Sequence, residues 1–365
     1  MGKKVDSCKA LRAMARVYMA CGDYAKAQPL AEQALNLVKA NKNLESEKSL
    51  CLIDLAYLYN NQGKYDQAED ACLLGLGMQK QLLSESHPHI AGTLRILSSI
   101  YQGQARYNEA LEIMEQAIEI MNSYHTPDEP ALAPFKVDLA RLMVEQGRFE
   151  EAQEQYLQAI STIKKSFGPD HLYTASALGS LAELYRIQAR YGQAEDLINE
   201  ALRIHQANYN SQQNYKIPIW VTMAEIYQAK ENYTEAQKLL RKALAAAEND
   251  YGINHPATGR ILTSLGKLYI EQGKYSQAVS ICQRSVKVLE NSAGTNNNFT
   301  ALAQNNLANL YIHQEKYFEA QQLCLKALIT LENIFQANHP SIAQVLETME
   351  QLQQKTGSTV QVAQL

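Results

Sequence analysis

Apolar residues recur along this chain at positions i, i+3, i+4 and i+7, with polar residues between them. The segments HIAGTLRILSSIYQ (89–102) and NEALEIMEQAIEIM (108–121) show this spacing clearly. Such spacing places the apolar side chains on one face of an α-helix, and no stretch shows the sustained alternation of a β-strand. The pattern therefore predicts an all-α protein built from amphipathic helices.

A short turn sequence separates these helices at a fixed interval. It reads QGKY at 62–65, QGRF at 146–149 and QGKY at 272–275, and an alanine follows three residues after the aromatic residue. The turn aromatics are Tyr24, Tyr65, Tyr107, Phe149, Tyr191, Tyr233, Tyr275 and Tyr317, with one step of 41 residues and six steps of 42. A period of this size is typical of a stacked array, so the sequence predicts eight helix hairpins. The small alanine would let the two helices of each hairpin approach closely.

The repeated unit has the form LxxLAxLYxxQGKYxxAExL and resembles the tetratricopeptide repeat. Its period of 42 residues and its linker form xxHPxxAxxL are similar to those of the kinesin light chain branch. The resemblance implies a right-handed superhelical α-solenoid of eight helix hairpins plus a C-terminal capping helix. We expect one repeat domain over residues 1–355, a capping helix at about 340–355 and a flexible tail at 356–365.

The chain departs from kinesin light chains at its start. Those proteins carry a long heptad segment before their repeats, which grips the motor heavy chain. Here the first repeat begins within the first ten residues, so we do not expect binding to a motor.

Four histidines show a second period, of 84 residues, at His87, His171, His255 and His339. In three of the four cases proline follows, and proline suits the first turn of a helix because its φ is already fixed. We therefore interpret these histidines as helix-start positions. Because helices pack about 8–10 Å apart, side chains two repeats apart cannot share an ion, and we expect no bound metal.

Charge and hydropathy exclude several classes of partner. The 365 residues carry a formal net charge of -4, so there is no overall basic surface for nucleic acid. No apolar run approaches the roughly 20 residues needed to cross a bilayer, and the N-terminus lacks the apolar core of a secretory signal. We expect a cytoplasmic protein that binds neither nucleic acid nor membranes.

The six cysteines form no CxxC motif, which argues against a zinc knuckle or a thioredoxin-like site. Cys72, Cys282 and Cys324 each lie seven residues after a turn aromatic, where most other repeats have an apolar residue. We expect them to fill the core as thiols in a reducing compartment.

Catalytic motifs are absent from the sequence. There is no P-loop, dinucleotide fingerprint, GxSxG elbow or HExxH motif, so we expect no enzymatic activity and no cofactor. The chaperone-docking type of tetratricopeptide groove needs particular lysine, arginine and asparagine residues across three consecutive repeats. This chain does not supply them.

The stretch QNNLANLY (304–311) puts three asparagines into one first helix. In the family, first helices line a concave groove, and a similar Asn-Asn-Leu-Ala stretch of kinesin light chains contributes to cargo-peptide binding. An amide offers both a donor and an acceptor to a peptide backbone. Carrying the same offsets to the other first helices predicts a peptide-binding groove of Arg12, Arg16, Asp54, Tyr57, Asn60, Arg95, Ser99, Gln102, Asp138, Arg141, Arg186, Lys267, Asn305, Asn306 and Asn309. The alternative is that these are solvated polar residues without a ligand.

Arginines in the N-terminal half of this set favour a partner with an acidic segment, because guanidinium groups suit carboxylates. The resulting hypothesis is a non-enzymatic scaffold that binds a partner peptide segment in its groove. A ligand-gated regulator of the bacterial peptide-sensor type is the alternative. Self-association through the first repeat is also open.

Overall fold

The computed structural model describes residues 2–20, 23–39, 42–126, 129–208, 216–337 and 339–356. The chain divides into two compact units, Met1–Lys216 and Ile217–Leu365. The described residues contain seventeen α-helices and no β-strand, which confirms the all-α repeat architecture. The single domain expected over residues 1–355 stays a prediction.

The first unit contains five helix pairs. They are α1 (Gly2–Ala20) with α2 (Tyr24–Val38), α3 (Glu45–Asn61) with α4 (Tyr65–Leu82), α5 (Pro88–Gly103) with α6 (Tyr107–Tyr124), α7 (Ala133–Glu145) with α8 (Phe149–Phe167), and α9 (Leu172–Ile187) with α10 (Tyr191–Ala207). Short 3₁₀ turns, Lys42–Leu44 and Pro130–Leu132, precede α3 and α7.

The second unit is built from the same kind of helices. It contains α11 (Lys216–Ala229), which starts at the last residue of the first unit, α12 (Tyr233–Asp250), α13 (Pro256–Glu271), α14 (Tyr275–Ser292), α15 (Asn298–His313), α16 (Tyr317–Ile334) and α17 (Pro340–Thr356). Helix α17 packs against α15 and α16, at the position expected for the capping helix. Of the predicted flexible tail, Thr356 is the last residue of α17, and residues 357–365 lie outside the described part.

The seven hairpin turns from the second hairpin onward use the same backbone hydrogen bonds. In the second hairpin the Lys64 N–H donates to the Tyr59 carbonyl at 2.9 Å and the Gly63 N–H to the Asn60 carbonyl at 3.0 Å. This is a Schellman motif, which ends a helix with one residue in the left-handed region. Gly63 supplies that residue at φ 71°. The same position is held without glycine by Ala105, Ala189, Glu231 and Glu315, at φ 60°, 57°, 59° and 61°.

The turn fixes where the second helix begins, and every second helix starts at the turn aromatic identified from the sequence. The alanines three residues later are all fully buried: Ala27, Ala68, Ala110, Ala152, Ala194, Ala236, Ala278 and Ala320. This confirms the prediction that small side chains permit close packing at these positions.

The periodic histidines cap first helices. The Nδ1 atom of His87 accepts a hydrogen bond from the His89 N–H at 3.1 Å, and His171, His255 and His339 make the equivalent bond at 3.1, 3.1 and 3.2 Å. Each therefore satisfies an amide that the helix leaves unpaired. Asn297, halfway in the 84-residue period, caps α15 in the same way through its Oδ1 at 3.0 Å.

The predicted core thiols are buried. Cys72, Cys282 and Cys324 are at most 1% exposed, and burial raises the pKa of each thiol to about 12. They are neutral, apolar core residues at physiological pH.

Candidate interaction face

Consecutive first helices of the first unit lie close together. Helix α3 packs against α5, α5 against α7 and α7 against α9, whereas the described second helices α4, α6, α8 and α10 do not approach one another to the same extent. Helices on the inner side of a curved layer are closer than those on the outer side. The first helices are therefore the inner layer of this unit, and we call their inward side the first-helix face.

A buried ion-pair cluster joins α1 to α3 at one end of this face. The Nε atom of Arg12 donates to Oδ2 of Asp54 at 2.7 Å, and Nε of Arg16 donates to Oδ1 of the same carboxylate at 2.8 Å. The side chains of Arg12 and Asp54 are 9% and 6% exposed, whereas Arg16 is 58% exposed. One carboxylate thus binds two guanidinium groups, and Arg16 presents its remaining N–H donors to solvent.

A second cluster of the same composition joins α5 to α7. Nη1 of Arg95 donates to Oδ2 of Asp138 at 2.8 Å, and Nη2 of Arg141 donates to Oδ1. Desolvation acts to lower the pKa of the Arg141 guanidinium, but the charges of Asp138 and of nearby Tyr156 and Glu145 hold it above its ordinary value. Arg141 therefore stays protonated at all physiological pH values, with its side chain 46% exposed.

Polar and aromatic side chains lie between the two clusters. Nδ2 of Asn60 on α3 donates to Oγ of Ser99 on α5 at 3.0 Å. Tyr57, on the same helix as Asn60, is 41% exposed. Gln102 is half-buried one helical turn after Ser99. The set predicted from the sequence is thus brought together from Arg12 to Arg141. Further along, both Nε and Nη2 of Arg186 on α9 donate to the carboxylate of Glu183.

In the second unit the paired asparagines hold helices together. Nδ2 of Asn306 donates to the Thr263 carbonyl on α13 at 3.2 Å. Nδ2 of Asn305 donates to the Gln344 carbonyl and Nδ2 of Asn309 to Oε1 of Gln351, at 3.5 and 3.3 Å, both on α17. The sequence predicts that these amides face a ligand, whereas their nitrogens contact neighbouring helices. The structure therefore leaves fewer of their hydrogen-bonding groups for a ligand.

Lys267, also in the second unit, lies 3.9 Å from Glu271 and is 53% exposed. Oε2 of Glu271 accepts a hydrogen bond from Gln228 at 2.7 Å. The cation predicted for the groove in this unit is therefore partly balanced by an acidic residue of its own helix.

Sequence reasoning missed the pairing between repeats. Arg12 and Asp54 are 42 residues apart, and Arg95 and Asp138 are 43 apart, so each arginine finds its aspartate in the next repeat. The bond from Asn306 to the Thr263 carbonyl joins the same two repeat positions, also 43 residues apart. The available signal was an arginine twelve residues before one turn aromatic and an aspartate eleven residues before the next.

Neither metal binding nor membrane insertion gains support from the described residues. Within them, no three His, Cys, Asp or Glu side chains are grouped so that they could hold a metal ion. In the same part of the chain, no helix combines the length and apolar character required to span a bilayer.

Comparison with known proteins identifies the family. One family model described as Tetratricopeptide repeat matches residues 6–71, 48–123, 131–207 and 216–291, and a second with that description matches 300–341. No curated protein matches the chain.

Similar solved structures include BtubC (BKLC) from P. vanneervenii, with 22% identity, a TM-score of 0.48 and coverage of 63% of this chain and 91% of that one. A putative kinesin light chain from Podosopora anserina with nearly identical TPR-like repeats has 22% identity, a TM-score of 0.44 and coverage of 56% and 97%. A Rap protein complexed with Competence and Sporulation Factor has 13% identity, a TM-score of 0.63 and coverage of 97% and 100%. Because the repeat models match most of its length, this chain belongs to the tetratricopeptide repeat family.

Proposed function

We propose that this chain is a protein-interaction scaffold that binds an extended segment of a partner protein on the first-helix face of the first unit. One observation carries the proposal. Arg16, Tyr57 and Arg141 each lie eight residues before a turn aromatic, and their side chains are 58%, 41% and 46% exposed. Equivalent positions of repeats 1, 2 and 4 thus present arginine or tyrosine, the residue types enriched at interface hot spots.

The inter-repeat hydrogen bonds support this role because they hold the face rigid. Asp54 and Asp138 each fix two guanidinium groups, and Asn60 is fixed by Ser99. Side chains that are already ordered lose less entropy when a ligand binds. Amide and hydroxyl groups on this face suit the backbone of an extended peptide, whatever its side chains are.

The charge distribution sets the chemistry of the partner. Arg16 lies in the repeat before that of Tyr57 and Arg141 lies two repeats after it, so the proposed segment has an apolar residue against Tyr57 and an acidic residue toward each end. Each arginine is already partly neutralised by an aspartate of this chain. Acidic residues therefore orient the segment and contribute a modest, salt-sensitive share of the affinity.

Tetratricopeptide repeat arrays are generally interaction scaffolds without enzymatic activity, and we propose the same for this chain, acting in the cytoplasm. The proposal predicts that a display library of random extended peptides, panned against the purified protein, yields a shared motif. A variant with Arg16→Ala, Tyr57→Ala and Arg141→Ala should lose that motif while its helicity is unchanged.

A matched control carries Leu74→Ala, Tyr124→Ala and Leu157→Ala. These residues are 56%, 51% and 47% exposed, and they lie on second helices of the same unit. The control should select the same motif as the unmodified chain. If the control loses the motif and the first variant keeps it, the binding surface lies on the second helices and the proposal is wrong.

The likeness to a Rap protein complexed with Competence and Sporulation Factor favours a second candidate, a ligand-gated regulator. That likeness, at 13% identity, concerns the fold. A regulator of this kind changes shape when a small peptide binds, whereas a rigid scaffold does not. Small-angle scattering with and without a selected peptide separates them, because a decrease in radius of gyration supports the regulator and an unchanged value supports the scaffold.

A further inference from the structure

Two buried cysteines on first helices face each other across the interface of α1 and α3. The Sγ atoms of Cys8 and Cys51 are 3.5 Å apart, and both residues are at most 1% exposed. Cys72, Cys282 and Cys324 share one position in three different repeats, whereas Cys8 and Cys51 lie on first helices. Among the described cysteines, this pair alone is placed sulfur to sulfur.

The pair lies beside the buried Arg12–Asp54 ion pair. Arg12 follows Cys8 by four residues on α1, and Asp54 follows Cys51 by three on α3, so both pairs belong to the same helix contact. Burial raises the pKa of the Cys51 thiol, and nearby Cys8 and Asp54 raise it further, whereas the Arg12 charge acts in the opposite direction. The Cys51 side chain is therefore a neutral thiol at neutral pH.

We propose that Cys8 and Cys51 are a redox modification site, in which hydrogen peroxide converts the two thiols into a disulfide that links the first two repeats. One thiol attacks the peroxide oxygen, which gives a sulfenic acid and releases one water molecule. The second sulfur then attacks the sulfenic sulfur, the S–S bond forms and a second water molecule leaves. The two thiols together lose two electrons, and one hydrogen peroxide molecule is reduced to two water molecules.

The geometry suits this second step. A disulfide needs the sulfur atoms about 2.05 Å apart, so they must approach by roughly 1.5 Å, a movement within reach of side-chain rotation. The oxidant can reach the buried thiols only through a local opening of the structure. Helix α1 packs mainly against α2 and α3. Separation of this one helix exposes both thiols, so the reaction depends on a local fluctuation and not on global unfolding. This inference is independent of the proposed peptide-binding function.

The test treats the native full-length chain with excess hydrogen peroxide, alkylates the remaining thiols and digests with trypsin under non-reducing conditions. Cys8 falls in peptide VDSCK (5–9) and Cys51 in peptide SLCLIDLAYLYNNQGK (49–64). We expect a linked species about 2 Da lighter than the sum of the two peptides, because two hydrogens are lost, and it should disappear on reduction. Cys72, Cys282 and Cys324 should remain open to alkylation after unfolding.

Two variants keep the outcome clear. In Cys51→Ala, Cys8 has no resolving thiol, so its sulfenic acid should persist and react with dimedone. In Cys72→Ala, a matched buried cysteine, the Cys8–Cys51 link should form as in the unmodified chain. The proposal is overturned if no linked peptide appears while Cys8 and Cys51 stay alkylatable, or if they oxidise to the same extent as the three core cysteines without a link.

Discussion

Asp54 accepts a hydrogen bond of 2.7 Å from Nε of Arg12, and both side chains are less than one-tenth exposed. The pair takes two charges out of water at the contact of two first helices. Such a pair is stable only while both partners are present, because a lone buried charge has no compensation. Arg95 and Asp138 form an equivalent ion pair through Nη1 of the arginine, in a more exposed setting.

Loss of Asp54 is expected to destabilise the first two repeats strongly. Asp54→Ala leaves Arg12 buried without its carboxylate, and removal of one partner of a buried pair costs about 3–5 kcal/mol. Asp138→Ala is the matched change, and because Arg95 is 36% exposed its loss should cost only about 1 kcal/mol. Hydrogen exchange in α1 and α3, compared with α5 and α7, measures the two effects locally. An equal loss of amide protection from hydrogen exchange in the two variants would contradict this expectation.

The turn residues with positive φ provide a second test. Glu231 sits at φ 59°, so Glu231→Gly should raise stability by about 1 kcal/mol, because glycine adopts this region without strain. Gly273→Ala at φ 69° should lower stability by about 1 kcal/mol, since an added Cβ meets no atom within 4 Å and only backbone strain changes. Gly192→Ala, at an uncrowded helical position, is the control and should stabilise. Thermal unfolding compares the three variants. A higher melting temperature for Gly273→Ala than for the unmodified chain would count against the turn assignment.

The histidine caps can be tested by amino-acid substitution. His255→Asn should keep near-normal stability, because Asn297 already caps α15 through its side-chain oxygen. His255→Ala should lose about 0.5–2 kcal/mol, since the Ala257 N–H then has no side-chain acceptor. Urea unfolding curves compare the two variants. If the alanine variant is as stable as the asparagine variant, the cap contributes nothing.

The buried imidazole of His205 should make the first unit sensitive to mild acid. Burial, with a smaller effect of Lys216, lowers the pKa of His205 below its value in the unfolded chain. Below the unfolded pKa, near 6.5, the unfolded chain therefore takes up a proton that the folded chain does not, and stability falls as pH decreases. The slope can reach about 1.4 kcal/mol per pH unit for one proton.

His205→Met should flatten this dependence, because equivalent positions of other repeats carry apolar residues such as Met121 and Ile163. Thermal melts at pH 7 and pH 5 give the comparison, with His89→Gln, an exposed histidine, as the control. An unchanged pH dependence in His205→Met would exclude this residue as the cause.

The sequence was sufficient to predict the repeat architecture because the signal is local and recurs. The turn aromatics mark the first residue of each second helix, and the alanines three residues later are buried, as their spacing predicts. The fourth repeat shows the limit of this signal. Its first helix starts with a 3₁₀ turn at Pro130–Leu132, and α7 has only 13 residues, although the 42-residue step is kept. Proline at 130 and 134 alters the local backbone without changing the repeat length.

The candidate face could be predicted only in part. Helical offsets identify which side of a helix a residue occupies, but they do not show whether its partner is a ligand or the next repeat. Asn305 and Asn309 contact α17, and Arg12 and Arg95 contact aspartates about one repeat away. Those partnerships depend on the distance between adjacent helices, which a single repeat does not encode.

The central claim, that the first-helix face binds the partner segment, is tested most directly by photo-crosslinking. A benzophenone amino acid replaces Tyr57 on α3 in one protein and Tyr124 at the end of α6 in another, where the native tyrosines are 41% and 51% exposed. Each protein is irradiated with a peptide selected against the unmodified chain. The account predicts crosslinking from position 57 and none from position 124. Crosslinking from position 124 alone would contradict it.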